Sequence, residues 1–110
     1  LLTPDPLKGE KHYAAGLNFF FSCKASEAEK EFLSAIQNDN GDARYYYFLG
    51  LSRYVQGHRD AADDFEQAAR LEERGRPDRA SVSSALERVQ GPLRGMLNEI
   101  RSRPVREKGK

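Results

Sequence analysis

Gly16 lies 34 positions before Gly50, Ala28 lies 34 before Ala62, and Ala35 lies 34 before Ala69. Small side chains returning at one interval constrain this chain more than any other feature, because they mark a helix–turn–helix unit used twice. The segments carrying them have helical periodicity. Tyr13, Leu17 and Phe20 recur at spacings of four and three, as do His12, Ala15 or Gly16, and Phe19, so a first helix has two usable faces. The lead-in LLTPDPLKGE holds two prolines and a glycine. It reads as extended over residues 1–8, with the helix beginning near Pro6 to Gly9. Ser26 and Glu29 have capping-box spacing, and Ala28, Phe32 and Ala35 with Leu33 and Ile36 make the stripe of a second helix that ends at the turn residues NDNGD. A third helix is predicted from about Asp42 to Gln56, closed by Gly57, and a fourth from about Arg59 to Arg74.

Interval and residue types together resemble the tetratricopeptide repeat (TPR) family. That family's pattern is a large aromatic, a leucine-glycine pair and a further aromatic on the first helix, then alanine, a ring and alanine on the second. The second unit offers Tyr46, Leu49 and Gly50, and the first offers His12, Ala15, Gly16 and Phe19. The second helices offer Ala28, Phe32, Ala35 and then Ala61, Phe65, Ala68, the latter one residue out of strict register. Small residues at Gly16, Gly50, Ala28 and Ala62 would let helix backbones approach, with rings at Phe19, Phe32, Tyr46 and Phe65 filling the flanking space. A helical glycine costs about 1 kcal/mol relative to alanine, and close packing is its compensation. The resemblance implies an all-α fold of stacked antiparallel helical hairpins in a right-handed superhelix, the units spanning residues 9–41 and 42–76. There are departures: Arg53 stands where an aromatic is usual, Asn40 replaces the closing proline of the first unit, and Pro77 comes late in the second. A generic antiparallel bundle is the alternative.

Past residue 78 the period fails. Val82, Leu86, Val89, Leu93, Met96 and Ile100 form one stripe, with Ser81 or Ser84 available as a cap. Gly91 and Pro92 interrupt it without changing its phase, which favours one kinked helix over 79–101 rather than two, serving as a C-terminal capping helix for the repeat stack. Residues 102–110 form a basic tail expected to be disordered.

At 110 residues, with 38% hydrophobic and 32% charged side chains and a net charge of +1, the chain suits a single domain with no global pull toward nucleic acid or membrane. No apolar run approaches the roughly 20 residues of a membrane span. Cys23 is the only cysteine, which excludes an internal disulfide and a cysteine-rich zinc site. Because the chain opens at Leu1 and not at methionine, an upstream segment is expected, with a signal peptide, lipid anchor or further domain as options. The compartment is left open.

Chemistry-bearing residues are few. His12, at an expected core position, and His58, in a turn, have no neighbouring ligand at metal spacing, so no metal or other cofactor is expected. Cys23 reads as a small buried or half-buried residue rather than a nucleophile, and Asp60, Asp63, Asp64 and Glu66 as a solvated helix face. No phosphate loop, serine elbow or dinucleotide fingerprint is present. The chain is therefore expected not to be an enzyme.

In TPR arrays the first helices line a concave groove. The resemblance directs Tyr46 and Leu49 to the core and Arg44, Tyr47, Leu51 and Tyr54 to the groove, with Tyr13, Leu17 and Phe20 as first-unit counterparts. The implied function is a protein–protein interaction module or scaffold holding an apolar peptide or helix of another protein. The alternative placement packs these rings under the C-terminal helix. Other functional readings are nucleic-acid or acidic-surface binding through Arg94, Arg101, Arg103, Arg106, Lys108 and Lys110, and a structural, self-associating homo-oligomer.

Overall fold

The computed structural model describes residues 5–103. It contains α1 (Pro6–Phe21), α2 (Ala25–Asn38), α3 (Ala43–Val55), α4 (Ala61–Glu73), α5 (Arg79–Leu86) and α6 (Pro92–Ser102), and no strand among the described residues. The all-α expectation holds. Residues 1–4 of the lead-in and 104–110 of the basic tail lie outside the described residues. Asp5 caps α1 by accepting the Lys8 amide at 3.1 Å, and Pro6 takes the first helical position, at the near edge of the expected start between Pro6 and Gly9. Asp42 caps α3 through the Arg44 amide at 2.9 Å. The capping box does not form: Ser26 lies within α2, and Glu29 reaches instead toward α3.

Consecutive helices α1 to α4 pack on one another, α5 rests on α3 and α4, and α6 on α4. α3 lies at the centre. Ala43, Tyr45 and every residue from Tyr47 to Ser52 are buried, a pattern that runs around the whole helix rather than along one stripe. Tyr13, Phe32, Tyr45 and Phe48 form the aromatic heart of the core, with Tyr13 and Tyr45 ring centroids 5.0 Å apart and Phe32 stacked on Phe48 at 5.7 Å. Tyr46 is only half-buried at the edge of this cluster.

The small residues do what their spacing requires. A Cβ added to Gly16 would stand 2.5 Å from the Phe32 ring, and one added to Gly50 would stand 2.7 Å from Phe65. In each hairpin a phenylalanine ring of the second helix lies against the bare backbone of the first. The interval differs between the two halves of the unit, however. Gly16 matches Gly50 at 34, but the buried Ala28, Phe32 and Ala35 match the buried Ala61, Phe65 and Ala68 at 33. Ala62 is exposed and Ala69 half-buried, so Ala61 is the close-approach residue expected at Ala62. One residue fewer separates the helix end at Gly57 from Ala61 than separates Cys23 from Ala28, and that deletion shifts the register.

Arg53, the departure from the aromatic pattern, binds Glu29 of α2 at 3.0 Å and Asp64 of α4 at 3.1 Å, joining three helices by ion pairs where a ring would join them by packing. Asp64 is accordingly buried rather than on the solvated face. Burial pushes its carboxyl above the ordinary range despite Arg53, with Asp60 and Asp63 adding to the rise. His12 is half-buried, not in the core, and its Nδ1 meets Glu31 Oε1 at 2.8 Å.

The C-terminal stripe forms two helices, not one kinked helix. α5 starts behind Asp78 and stops at Leu86, so Ser81 and Ser84 both lie inside it. Gly91 adopts φ 70° and ψ −150°, a conformation an L-residue rarely takes, and Pro92 starts α6. Val82, Leu86, Val89 and Leu97 are buried in the common core, which is how the stripe keeps its phase across a break.

Gly50→Ala improves helix propensity by about 1 kcal/mol yet is expected to lower unfolding free energy by about 1–2 kcal/mol, because the methyl overlaps Phe65. Denaturant melts should show part of the loss recovered when Phe65→Leu is added. Gly50→Ala melting above the parent would refute the packing account.

Candidate functional site

α1 ends in three consecutive phenylalanines and a turn. Cys23 N–H donates to the Phe20 carbonyl at 3.1 Å and Lys24 N–H to the Phe19 carbonyl at 2.9 Å, the paired bonds of a Schellman cap, with Cys23 itself at φ 62°. The end of α3 repeats this: Gly57 N–H donates to Tyr54 at 2.9 Å and His58 N–H to Arg53 at 2.9 Å, and Gly57 has φ 82°. Cysteine thus holds a left-handed position that glycine holds in the second hairpin.

The two capped ends and the α5–α6 connection enclose an open apolar cleft of about 490 Å³, lined by Phe20, Phe21, Val55, Val89 and Leu93, with Cys23, Ala25, Arg88 and Gln90 completing the wall. Phe20 and Phe21 meet edge to face at 5.1 Å and both touch Phe48, at 5.7 Å and 6.1 Å, which fixes them to the core. Arg88 lies over the Phe21 ring, its guanidinium carbon 3.9 Å from the ring centroid. Val55 remains 49% exposed and Tyr54 beside it 51% exposed. Such a surface can take apolar side chains from outside the chain.

The residues expected in a concave groove do not share one surface. Tyr47 and Leu51 are buried in the cluster that includes Val82, Leu86 and Val89, so the chain covers them itself. Tyr13 is buried beneath Arg44, whose guanidinium carbon lies 4.8 Å from its ring. Arg44 is in turn engaged with Glu10 at 2.8 Å and Asp42 at 2.6 Å. Burial opposes its charge, but the hydrogen bond and charge of Asp42 with the charge of Glu10 hold its pKa above the ordinary arginine value. Leu17 is half-buried, Phe20 reaches the cleft, and Tyr54 faces solvent beside it. Phe21, Val55, Arg88, Val89 and Leu93 were not among the expected site residues. The triple phenylalanine at 19–21 is the one local sign of them.

A buried carboxylate closes the opposite side. Glu72 accepts from the Tyr47 hydroxyl at 2.7 Å and from Arg101 Nη2 at 2.7 Å, with Arg79 at 3.5 Å, so α6 is latched across α4 onto the central helix. Burial alone would raise the Glu72 pKa, and hydrogen bonds from Arg101 and Tyr47 with the charges of Arg101 and Arg79 bring it below the ordinary value instead. Burial pushes the Tyr47 hydroxyl up, and Glu72 adds to that. Arg101 and Arg103, counted in the basic cluster, are paired with Glu72 and Glu99. No helix among the described residues is long and apolar enough to cross a membrane.

No family model matches this chain, and no curated protein or solved structure shows a significant match to it.

Replacing Cys23 by glycine is expected to raise stability by about 0.5–1 kcal/mol, the relief of a left-handed L-residue outweighing the extra chain entropy. A lower melting temperature would show that the thiol makes a compensating contact. For Glu72, a depressed folded-state pKa means that the ionised group adds stability above its ordinary 4.5 and that this is lost as pH falls through the folded value. Glu72→Gln should cost about 3 kcal/mol near pH 7, and the gap to the parent should close as pH falls below 4.5 through the folded-state value. Asp64, with its pKa raised, works in the opposite direction in both proteins and cancels in the comparison. A gap independent of pH would contradict the ion-pair origin.

Proposed function

We propose that the chain is a non-enzymatic protein-binding module or scaffold, built of two TPR-like hairpins stacked as a right-handed superhelix, and that it holds an apolar segment of another protein in the Phe20–Phe21–Val55 cleft. One observation carries this reading. Rings anchored to the core are presented at an open cleft whose rim residue Val55 is half exposed. Apolar surface held rigid and left uncovered favours association, since little side-chain freedom is lost on binding. The ring-on-glycine contact of both hairpins supports the TPR-like reading. The expected concave face is a poor candidate because Tyr47 and Leu51 are fully buried within the chain, with α5 packed on α3.

The test compares partner capture by the parent, by Val55→Lys, and by a chain ending at Arg103. Val55→Lys is expected to lose on the order of 1–2 kcal/mol of affinity, with weak salt dependence in the parent. Removing residues 104–110 is expected to change little. Binding that survives Val55→Lys, vanishes with the tail and falls steeply with salt would establish acidic-surface or nucleic-acid binding instead.

A further inference from the structure

Arg88 differs from the other arginines around the core. Arg44, Arg53 and Arg101 each hold at least one carboxylate, whereas among the described residues no carboxylate lies within ion-pair distance of Arg88. Glu87 precedes it in sequence and still makes no ion pair with it; the Glu87 backbone carbonyl accepts from Gln90 and Arg94. The Arg88 side chain is instead laid on Phe21 at 3.9 Å, at the wall of the apolar cleft. A guanidinium held over a ring by its carbon still carries its N–H donors in one plane as a fork that matches a carboxylate. Stacking also orders the long side chain in advance, so less freedom is lost when a partner arrives. Lys24, between the lining residues Cys23 and Ala25, is a second exposed cation without an ion pair among the described residues. Apolar floor and cationic rim together call for a complementary occupant.

Resting on the cleft being the binding surface, we infer that its occupant is an amphipathic protein helix that places apolar side chains against Phe20, Val55 and Leu93 and an aspartate or glutamate side chain against the Arg88 fork. The open side of the cleft suits a row of side chains projecting from a helix that itself stays outside. Specificity then divides between two groups: the rings select for apolar bulk, and Arg88 selects for acid at one end of the stripe.

The probe is a fluorescently labelled, acetylated and amidated peptide of about 16 residues, long enough to hold a helix. It carries leucines at i, i+3 and i+7 and one glutamate a turn beyond; a second peptide carries glutamine there. Anisotropy titrations against the full chain should show the glutamate peptide bound about tenfold more tightly, the fold-change of one partly exposed charge-assisted hydrogen-bonded pair. Arg88→Met, which keeps apolar cover on Phe21, should abolish that ratio while leaving the glutamine peptide unchanged, and Arg88→Lys should keep part of it. Val55→Gln should weaken both peptides alike. Equal affinity of the two peptides for the parent, with Val55→Gln still weakening both, overturns the acid preference and leaves the cleft as a binding surface. Affinity indifferent to Val55→Gln, or no binding of either peptide, overturns the inference and the cleft assignment together.

Discussion

Both hairpins depend on a phenylalanine ring lying against glycine backbone. Phe32 on Gly16 and Phe65 on Gly50 set how near the paired helices come, and that spacing decides which residues of α3 are enclosed. With α4 held against α3 at this distance and α2 packed on it as well, little of α3 is left for solvent except near its ends. The exposed positions Tyr54 and Val55 lie at such an end. Close helix packing in the middle and an open cleft at the tip are therefore parts of one arrangement.

Enclosing a helix that carries four tyrosines, Tyr45 and Tyr47 of them buried, raises a difficulty, since a buried hydroxyl without a partner is costly. The chain meets it with carboxylates drawn from neighbouring helices. Tyr45 donates to Glu10 of α1 and Tyr47 to Glu72 of α4, and each carboxylate is also held by arginine, Arg44 in one case and Arg101 in the other. Each of these arrangements ties α3 to a different part of the chain. The Ser52 hydroxyl is buried with no hydrogen-bond partner.

Much of this was legible in the residues. Periodicity located the first four helices closely, and the paired small residues identified where backbones touch. Four things were not legible, each for a physical reason. Helical phase runs through Pro92 because Val89 and Leu97 serve one core from two helices, so the stripe does not reveal the break. A one-residue difference between the helix connections moved the close contact from Ala62 to Ala61, which a fixed interval hides. Tyr46 and Tyr47 differ by one position on a helix that is buried nearly all round, and their placement depends on where Glu72 and the C-terminal helices lie, not on local spacing. The cleft was the least legible element, since residues 20–25, 55 and 88–93 are brought together only by the fold.

Stability is graded along the chain by the way α6 is attached. Of its residues only Leu97 is buried, its packing among the helices is against α4, and the Arg101–Glu72 pair spans 29 positions. α1 and α2, by contrast, are held by contacts between segments adjacent in sequence. Opening α6 exposes Leu97 with the half-buried Leu93, Met96 and Ile100 and breaks the Arg101 bonds to Glu72 and Ser83, whereas opening α3 exposes the whole core. The hairpins can therefore assemble from local contacts while α6 docks last, and the same helix can lift away while the hairpins remain folded.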